Sequence, residues 1–131
     1  MVPAAHEASQ RPVARILVVE DEVLIRVEVA DALRQAGYEV IEAGCAAEAQ
    51  AYVRGGGGVD LLFSDLRMPG GMNGAQLAGW IRAHAPGVPV ILASGDAGPA
   101  EIGVADAFLA KPYDIGQAVG SVARLLAAAE G

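Results

Sequence analysis

The chain has 131 residues, 53% apolar and 19% charged, which is the composition of one globular domain rather than of a disordered or fibrous chain. Nine Lys and Arg stand against sixteen Asp and Glu, a net charge of −7, and that balance argues against holding nucleic acid or anionic lipid by bulk charge. One cysteine, Cys45, rules out an internal disulfide and a cysteine-based zinc site and fits a reducing, cytoplasmic compartment. The opening segment lacks the apolar core of a signal peptide, and no apolar run approaches the ~18 residues needed to span a bilayer.

Residues 1–13 mix Pro, Ala and polar groups without periodicity and read as a flexible leader, leaving 14–131 as the folded domain. Arg15 to Val19 is compact and β-branched, a strand buried on both faces, and it runs into Glu20-Asp21-Glu22. Glu22 to Ala36 has helical spacing, with Val23, Val27, Ala30 and Leu33 as the core row and Gly37 as the stop. A second apolar row on that helix, Ile25, Val29, Ala32 and Ala36, is read either as a wide core stripe or as a partner face. Tyr38 to Ile41 alternates like a half-exposed edge strand, and Ala46 to Arg54 is a second helix closed by a glycine run.

Asp60 to Phe63 is the third strand, ending at Ser64-Asp65. Asn73 and Gln76 are spaced for a capping box that opens a third helix near Gly74. Val88 to Ala93 is the fourth strand, with Pro89 tolerable near its start. Residues 95–105 leave room only for a short helix, and Ala107 to Ala110 is the fifth strand, followed by Lys111-Pro112. The last helix starts at about Asp114, an N-cap candidate, with Ile115, Val119, Val122 and Leu126 on one face.

Five strands alternating with helices imply an α/β domain, a doubly wound parallel sheet with helices on both faces. Ligands bind such sheets beyond the carboxyl ends of the strands. Those ends carry Glu20 and Asp21, Asp65, Ser94 and Lys111. If the first, third and fourth strands are neighbours, three carboxylates converge, and like charges at that range repel unless a cation neutralises them. A small all-oxygen site suits Mg²⁺. A hydroxyl and an ammonium at the same rim suit the oxygens of a phosphoryl group, and one carboxylate is then free to attack phosphorus. Each residue alone also has an ordinary reading as a turn, a cap or a surface charge. The chemical reading rests on the set.

The segments Ile16 to Glu22, Leu62 to Gly70 and Phe108 to Pro112, in this order, resemble the receiver domain of two-component response regulators over about residues 14–130. The resemblance implies strand order 2-1-3-4-5 and a phosphoacceptor role for Asp65, fed by a histidine kinase or a histidine phosphotransfer protein. It implies Mg²⁺ held by Asp21, Asp65 and the backbone carbonyl of Arg67, with Glu20 acting mainly through water. Ser94 and Lys111 would contact the phosphoryl group, the Lys111-Pro112 bond would be cis, and Phe108 would be the aromatic switch. Ile25 and Val29 on the first helix would offer a partner face. Two departures stand out: an additional glycine at Gly70-Gly71, and a Ser94-to-Lys111 stretch short for the family, which leaves the fourth helix a single turn or irregular.

The expected function is a stand-alone receiver that switches partner binding or relays the phosphoryl group, without direct contact to nucleic acid or membrane, and is not classed as an enzyme. The alternatives are a receiver-like protein-binding module that works without phosphorylation, or the receiver part of a larger hybrid kinase or regulator. A Mg²⁺-dependent phosphatase with an aspartyl intermediate is disfavoured, because those enzymes place a second Asp where this chain has Arg67. A flavin-binding module of similar fold is disfavoured because Glu20-Asp21-Glu22 would repel its phosphate.

Overall fold

The computed structural model describes residues 13–96 and 98–130, without the side chains of Pro99 and Ala100. The leader expected over residues 1–13 lies, apart from Val13, outside the described residues. Five parallel strands form one sheet in the order β2-β1-β3-β4-β5. They are β1 (Arg15–Val19), β2 (Glu39–Ala43), β3 (Leu61–Asp65), β4 (Val90–Ser94) and β5 (Ala107–Ala110). The helices between and after them are α1 (Val23–Gln35), α2 (Ala46–Arg54), α3 (Gly74–His84), α4 (Pro99–Ile102) and α5 (Ile115–Glu130). As the short spacing predicts, α4 is a single turn.

Side chains alternate across the pleat, so each central strand feeds two cores. Ile16, Val18, Phe63 and Ile91 pack with Val29 and Leu33 of α1 and Val122 of α5. Leu17, Val19, Leu62 and Leu92 pack with Ala46 and Ala49 of α2 and Leu77 and Ile81 of α3. Burial on both faces explains why β1, β3 and β4 are near-continuous apolar runs.

The end signals read from sequence have structural counterparts. The Gln76 N–H donates to Asn73 Oδ1 at 2.8 Å and the Asn73 N–H donates to Gln76 Oε1 at 2.9 Å, closing the capping box of α3. Asp114 and Gln117 form the same reciprocal pair at α5, at 3.3 and 3.1 Å.

Some boundaries differ from the sequence reading. Tyr38 stays outside β2 because its N–H donates to Leu33 O at 3.1 Å, closing the end of α1. β3 runs on through Ser64 and Asp65 because the ladder continues past them, with the Leu66 N–H donating to Ala93 O at 2.9 Å. β4 begins only at Val90, since Gly87 turns the chain at φ +89 and Pro89 has no N–H to give.

The face of α1 is corrected as well. Val23 and Val27, expected in the core, are 57% and 40% exposed, whereas Val29 is 2% exposed and Ile25 packs against the core. The two apolar rows lie side by side, and periodicity alone does not say where the core stripe falls; the sheet takes Ala30 and Leu33 from the first row and Ile25 and Val29 from the second. Val29 is therefore core and no part of a partner face. The exposed apolar side chains of α1 are Val23, Leu24 and Val27.

Candidate functional site

Strand register sets the site. Val19 of β1 lies opposite Ser64 of β3, Asp65 lies opposite Ala93 of β4, and Ser94 lies opposite Ala110 of β5. Glu20, Asp65, Ser94 and Lys111 consequently emerge along one carboxyl edge of the sheet.

Carboxylate oxygens of Glu20, Asp21 and Asp65 lie within 4.8 Å of one another. Glu20 and Asp65 are buried and Asp21 is exposed, so the cluster opens to solvent on the Asp21 side. The Lys111 ammonium sits 3.2 Å from Asp65 Oδ1 and 3.2 Å from Glu20 Oε1. The Lys111 N–H also donates to Ser94 O at 3.0 Å, which fixes the root of that side chain, and the Lys111-Pro112 bond that follows is cis. Glu20 Oε2 accepts the Glu22 N–H at 3.1 Å, and Arg26 Nη1 donates to Glu20 O at 3.0 Å.

Burial raises the pKa of Asp65 above the usual carboxylate range; Lys111 works against this, the Asp21 charge adds to it, and the Arg67 backbone N–H opposes it. Burial also raises Glu20, with Asp65 adding to it and the Glu22 N–H and Lys111 opposing. Burial alone would lower Lys111, but the charges of Asp65 and Glu20 outweigh it and hold the ammonium above its ordinary value. The result is an acidic pocket with more negative charge than its one ammonium balances. Hard, anionic oxygen donors at this spacing fit a divalent cation of the Mg²⁺ kind, which takes few protein ligands and retains water.

Two glycines shape the approach. A Cβ on Gly74 would lie 2.4 Å from Asp65 O and 2.9 Å from Leu66 Cα, so only glycine lets α3 start this close to the end of β3. Gly70, in the lengthened turn, has φ +99, a conformation L side chains rarely adopt. Sequence reading noted the second glycine but not the first, whose signal is only its place beside the α3 cap.

Ser94 is 2% exposed, and its hydroxyl is engaged with Asp96: it donates to Asp96 Oδ1 at 2.9 Å and accepts the Asp96 N–H at 3.2 Å. The Arg67 guanidinium, expected to matter only through its backbone, spans the same edge. Its Nε donates to Asp96 Oδ1 at 3.1 Å, and its two Nη groups fork onto Glu101 of α4 at 2.8 and 2.9 Å. Phe108 is half-buried against the α2/α3 core. Beside the site, a groove between α1 and the start of α5 is lined by Glu22, Ile25, Glu28, Pro112, Tyr113 and Ile115.

The model of the response regulator receiver domain family matches residues 16–123. The chain is 36% identical over 122 residues to the DNA-binding transcriptional regulator NtrC of Bradyrhizobium sp. (strain RP501 Parasponia), covering 88% of this chain and 25% of that protein. A CheY-like receiver domain protein from Methanospirillum hungatei JF-1 superposes with a TM-score of 0.83 at 27% identity, covering 90% of this chain and 97% of that one. The response regulator TrrA from Thermotoga maritima, solved in complex with Mg²⁺ and BeF, gives a TM-score of 0.76 at 30% identity, covering 86% of this chain and 98% of that one. The acidic edge, the sheet order and these matches agree, and the chain belongs to the response regulator receiver domain family. It is a phosphoryl-accepting receiver of two-component signalling that spans about a quarter of the NtrC relative. Among the described residues no helix is long and apolar enough to cross a membrane.

Proposed function

We propose that Asp65 is the residue phosphorylated, in a Mg²⁺-dependent transfer from the phosphohistidine of a histidine kinase or phosphotransfer protein. The observation that carries this reading is the place of Asp65: a buried carboxylate at the end of β3, 3.2 Å from an ammonium and within 4.8 Å of two further carboxylates. A carboxylate oxygen of Asp65 attacks phosphorus in line. The bond from phosphorus to the imidazole nitrogen breaks, and the leaving imidazole keeps the electron pair and takes up a proton. Lys111 pairs with the oxygens of the transferring group, and Ser94 donates its hydroxyl to one of them once transfer is complete.

Asp21, Asp65 and the backbone carbonyl of Arg67 would hold Mg²⁺, with Glu20 acting through water. When bound, the cation neutralises negative charge on the transferring phosphoryl group. The Mg²⁺ and BeF complex of TrrA supports both elements, as a cation and a phosphoryl stand-in on a chain of the same fold.

Phosphorylation would then bias the β4–α4–β5 region, with Phe108 turning inward as Ser94 is recruited, and so change binding to a downstream protein or pass the phosphoryl group onward. The kinase or phosphotransfer partner would dock beside the site, over Leu24, Val23 and the rim that includes Ile25. A cytoplasmic protein signalling by protein contact, with no nucleic-acid or membrane contact of its own, fits the charge of −7. The alternative, a receiver portion of a larger regulator or hybrid kinase, is consistent with a chain that spans 25% of the NtrC relative and leaves the chemistry at Asp65 unchanged.

The test is chemical mapping. Borohydride reduction of an aspartyl phosphate leaves homoserine, so peptide sequencing by mass spectrometry after phosphorylation should find homoserine at position 65. Homoserine elsewhere, or none in a protein that has gained a phosphoryl group, would contradict the assignment.

A further inference from the structure

The hydroxyl of Ser94 has one proton, and it is already given to Asp96 Oδ1 at 2.9 Å. The Asp96 N–H donates to Ser94 Oγ at 3.2 Å, so the hydroxyl is engaged both as donor and as acceptor. A hydroxyl donates one hydrogen bond at a time, so a phosphoryl oxygen at Asp65 must compete with Asp96 for it. Asp96 is itself held. Its carboxylate is 70% exposed and would otherwise turn to water, but Arg67 Nε meets Oδ1 at 3.1 Å. Arg67 in turn is fixed by a two-pronged contact to Glu101, whose Oε1 also accepts the Gly98 N–H at 3.0 Å at the head of α4. Glu101 thus braces Arg67, Arg67 orients Asp96, and Asp96 retains the hydroxyl.

We propose that Asp96 is a positioning residue for the phosphorylation reaction: it keeps the Ser94 hydroxyl turned from Asp65 until a phosphoryl group outcompetes it. This rests on the reading of Asp65 as phosphoacceptor. Asp96 is not among the residues that would hold the cation, and its side chain meets that set only through the Arg67 guanidinium. It acts through Ser94 by stabilising the unphosphorylated arrangement, and so lowers the phosphorylated fraction at any given donor concentration. The Arg67 and Glu101 contacts make the hold depend on α4, the element shortened in this chain.

The test is the ratio of phosphorylated to unphosphorylated protein at steady state, measured by intact mass with limiting acetyl phosphate and Mg²⁺. Wild type, Asp96→Ala, Ser94→Ala and the double variant are compared. Asp96→Ala should raise the ratio roughly 3- to 10-fold, the factor carried by one hydrogen bond of ordinary net strength. The rise should vanish in the Ser94→Ala background, where there is no hydroxyl to release.

An equal rise in both backgrounds would assign the effect to the removed negative charge and overturn the proposal, as would no rise in the presence of Ser94. A wild type that takes up no phosphoryl group, or takes it up elsewhere than on Asp65, would instead remove the reading beneath it. A phosphorylated wild type with a flat Asp96→Ala response would remove only the role of Asp96.

Discussion

Lys111 Nζ stands 3.2 Å from Asp65 Oδ1 and the same distance from Glu20 Oε1, so one ammonium serves two buried carboxylates. Removing it leaves both acids buried without a counter-charge, the most costly way to break such a contact. Lys111→Met should destabilise the metal-free protein by about 1–3 kcal/mol in denaturant unfolding, the cost of stranding buried polar groups. Adding Mg²⁺ should recover part of that loss, because a cation can take over some of the neutralisation. A stability unchanged from wild type would mean that the pair contributes nothing net.

The excess of negative charge at the site predicts linkage between folding and metal. A Mg²⁺ ion held by the native cluster of Glu20, Asp21 and Asp65, and not by the unfolded chain, would raise the thermal midpoint in a concentration-dependent way. Asp21→Asn should weaken that dependence, and Ca²⁺ at matched concentration should not reproduce the wild-type curve in detail, given its longer bonds and larger coordination number. A midpoint indifferent to Mg²⁺ would remove the metal assignment.

On α1, burial separates two apolar residues, Val29 and Leu24, that look alike in sequence. Val29→Ala should cost roughly 1–3 kcal/mol of stability, since it empties a filled core position. Leu24→Ala, at a side chain 85% exposed, should stay within about 0.5 kcal/mol. The same Leu24 variant should slow phosphotransfer from a kinase while leaving acetyl phosphate labelling unchanged. Slowing of both would show that the patch acts on the site and not on docking.

Most of the architecture was legible because a strand covered on both faces reads as a near-continuous apolar run, and β1, β3 and β4 do until the polar residues at their ends. The short α4 was legible from chain length alone, since the stretch between Ser94 and Lys111 holds too few residues for a full helix. The turn of α1 was not, because two apolar rows sit side by side and only packing on the sheet selects Ile25, Val29, Ala30 and Leu33. The side-chain path from Ser94 through Asp96 and Arg67 to Glu101 was equally hidden. It joins residues 29 and 34 positions apart in contacts that no local pattern encodes. Gly74 shows the same limit: its need for hydrogen at Cα arises from a carbonyl nine residues earlier brought against it by the fold.

Gly74→Ala places a methyl group where Asp65 O and Leu66 Cα already stand, so the β3–α3 junction must shift. A loss of about 1–3 kcal/mol is expected from such overpacking, together with slower labelling of the neighbouring Asp65. Gly79→Ala, on the same helix with open space around the added carbon, should be neutral or slightly stabilising.

Tyr113 offers a probe beside the site. Burial, aided by the charge of Glu20, pushes its phenol up from 10.0 to about 12, with its ring edge against Phe63 at 6.0 Å between centroids. The folded value lies above the unfolded one, so the neutral phenol's share of stability is intact below pH 10 and is lost as pH rises toward about 12. Tyr113→Phe should remove the most alkaline tyrosinate step in an ultraviolet titration and flatten that part of the stability profile. Retention of the step would place it on another tyrosine.

The central claim is that Asp65 accepts a phosphoryl group with the help of a cation bound at the acidic edge. Intact mass after incubation with acetyl phosphate tests it directly, with Mg²⁺ or with a chelator, on wild type and on Asp65→Asn. One added phosphoryl group that appears only with Mg²⁺ and only when Asp65 is present is the predicted result. No gain under any condition, or the same gain in Asp65→Asn, would contradict it.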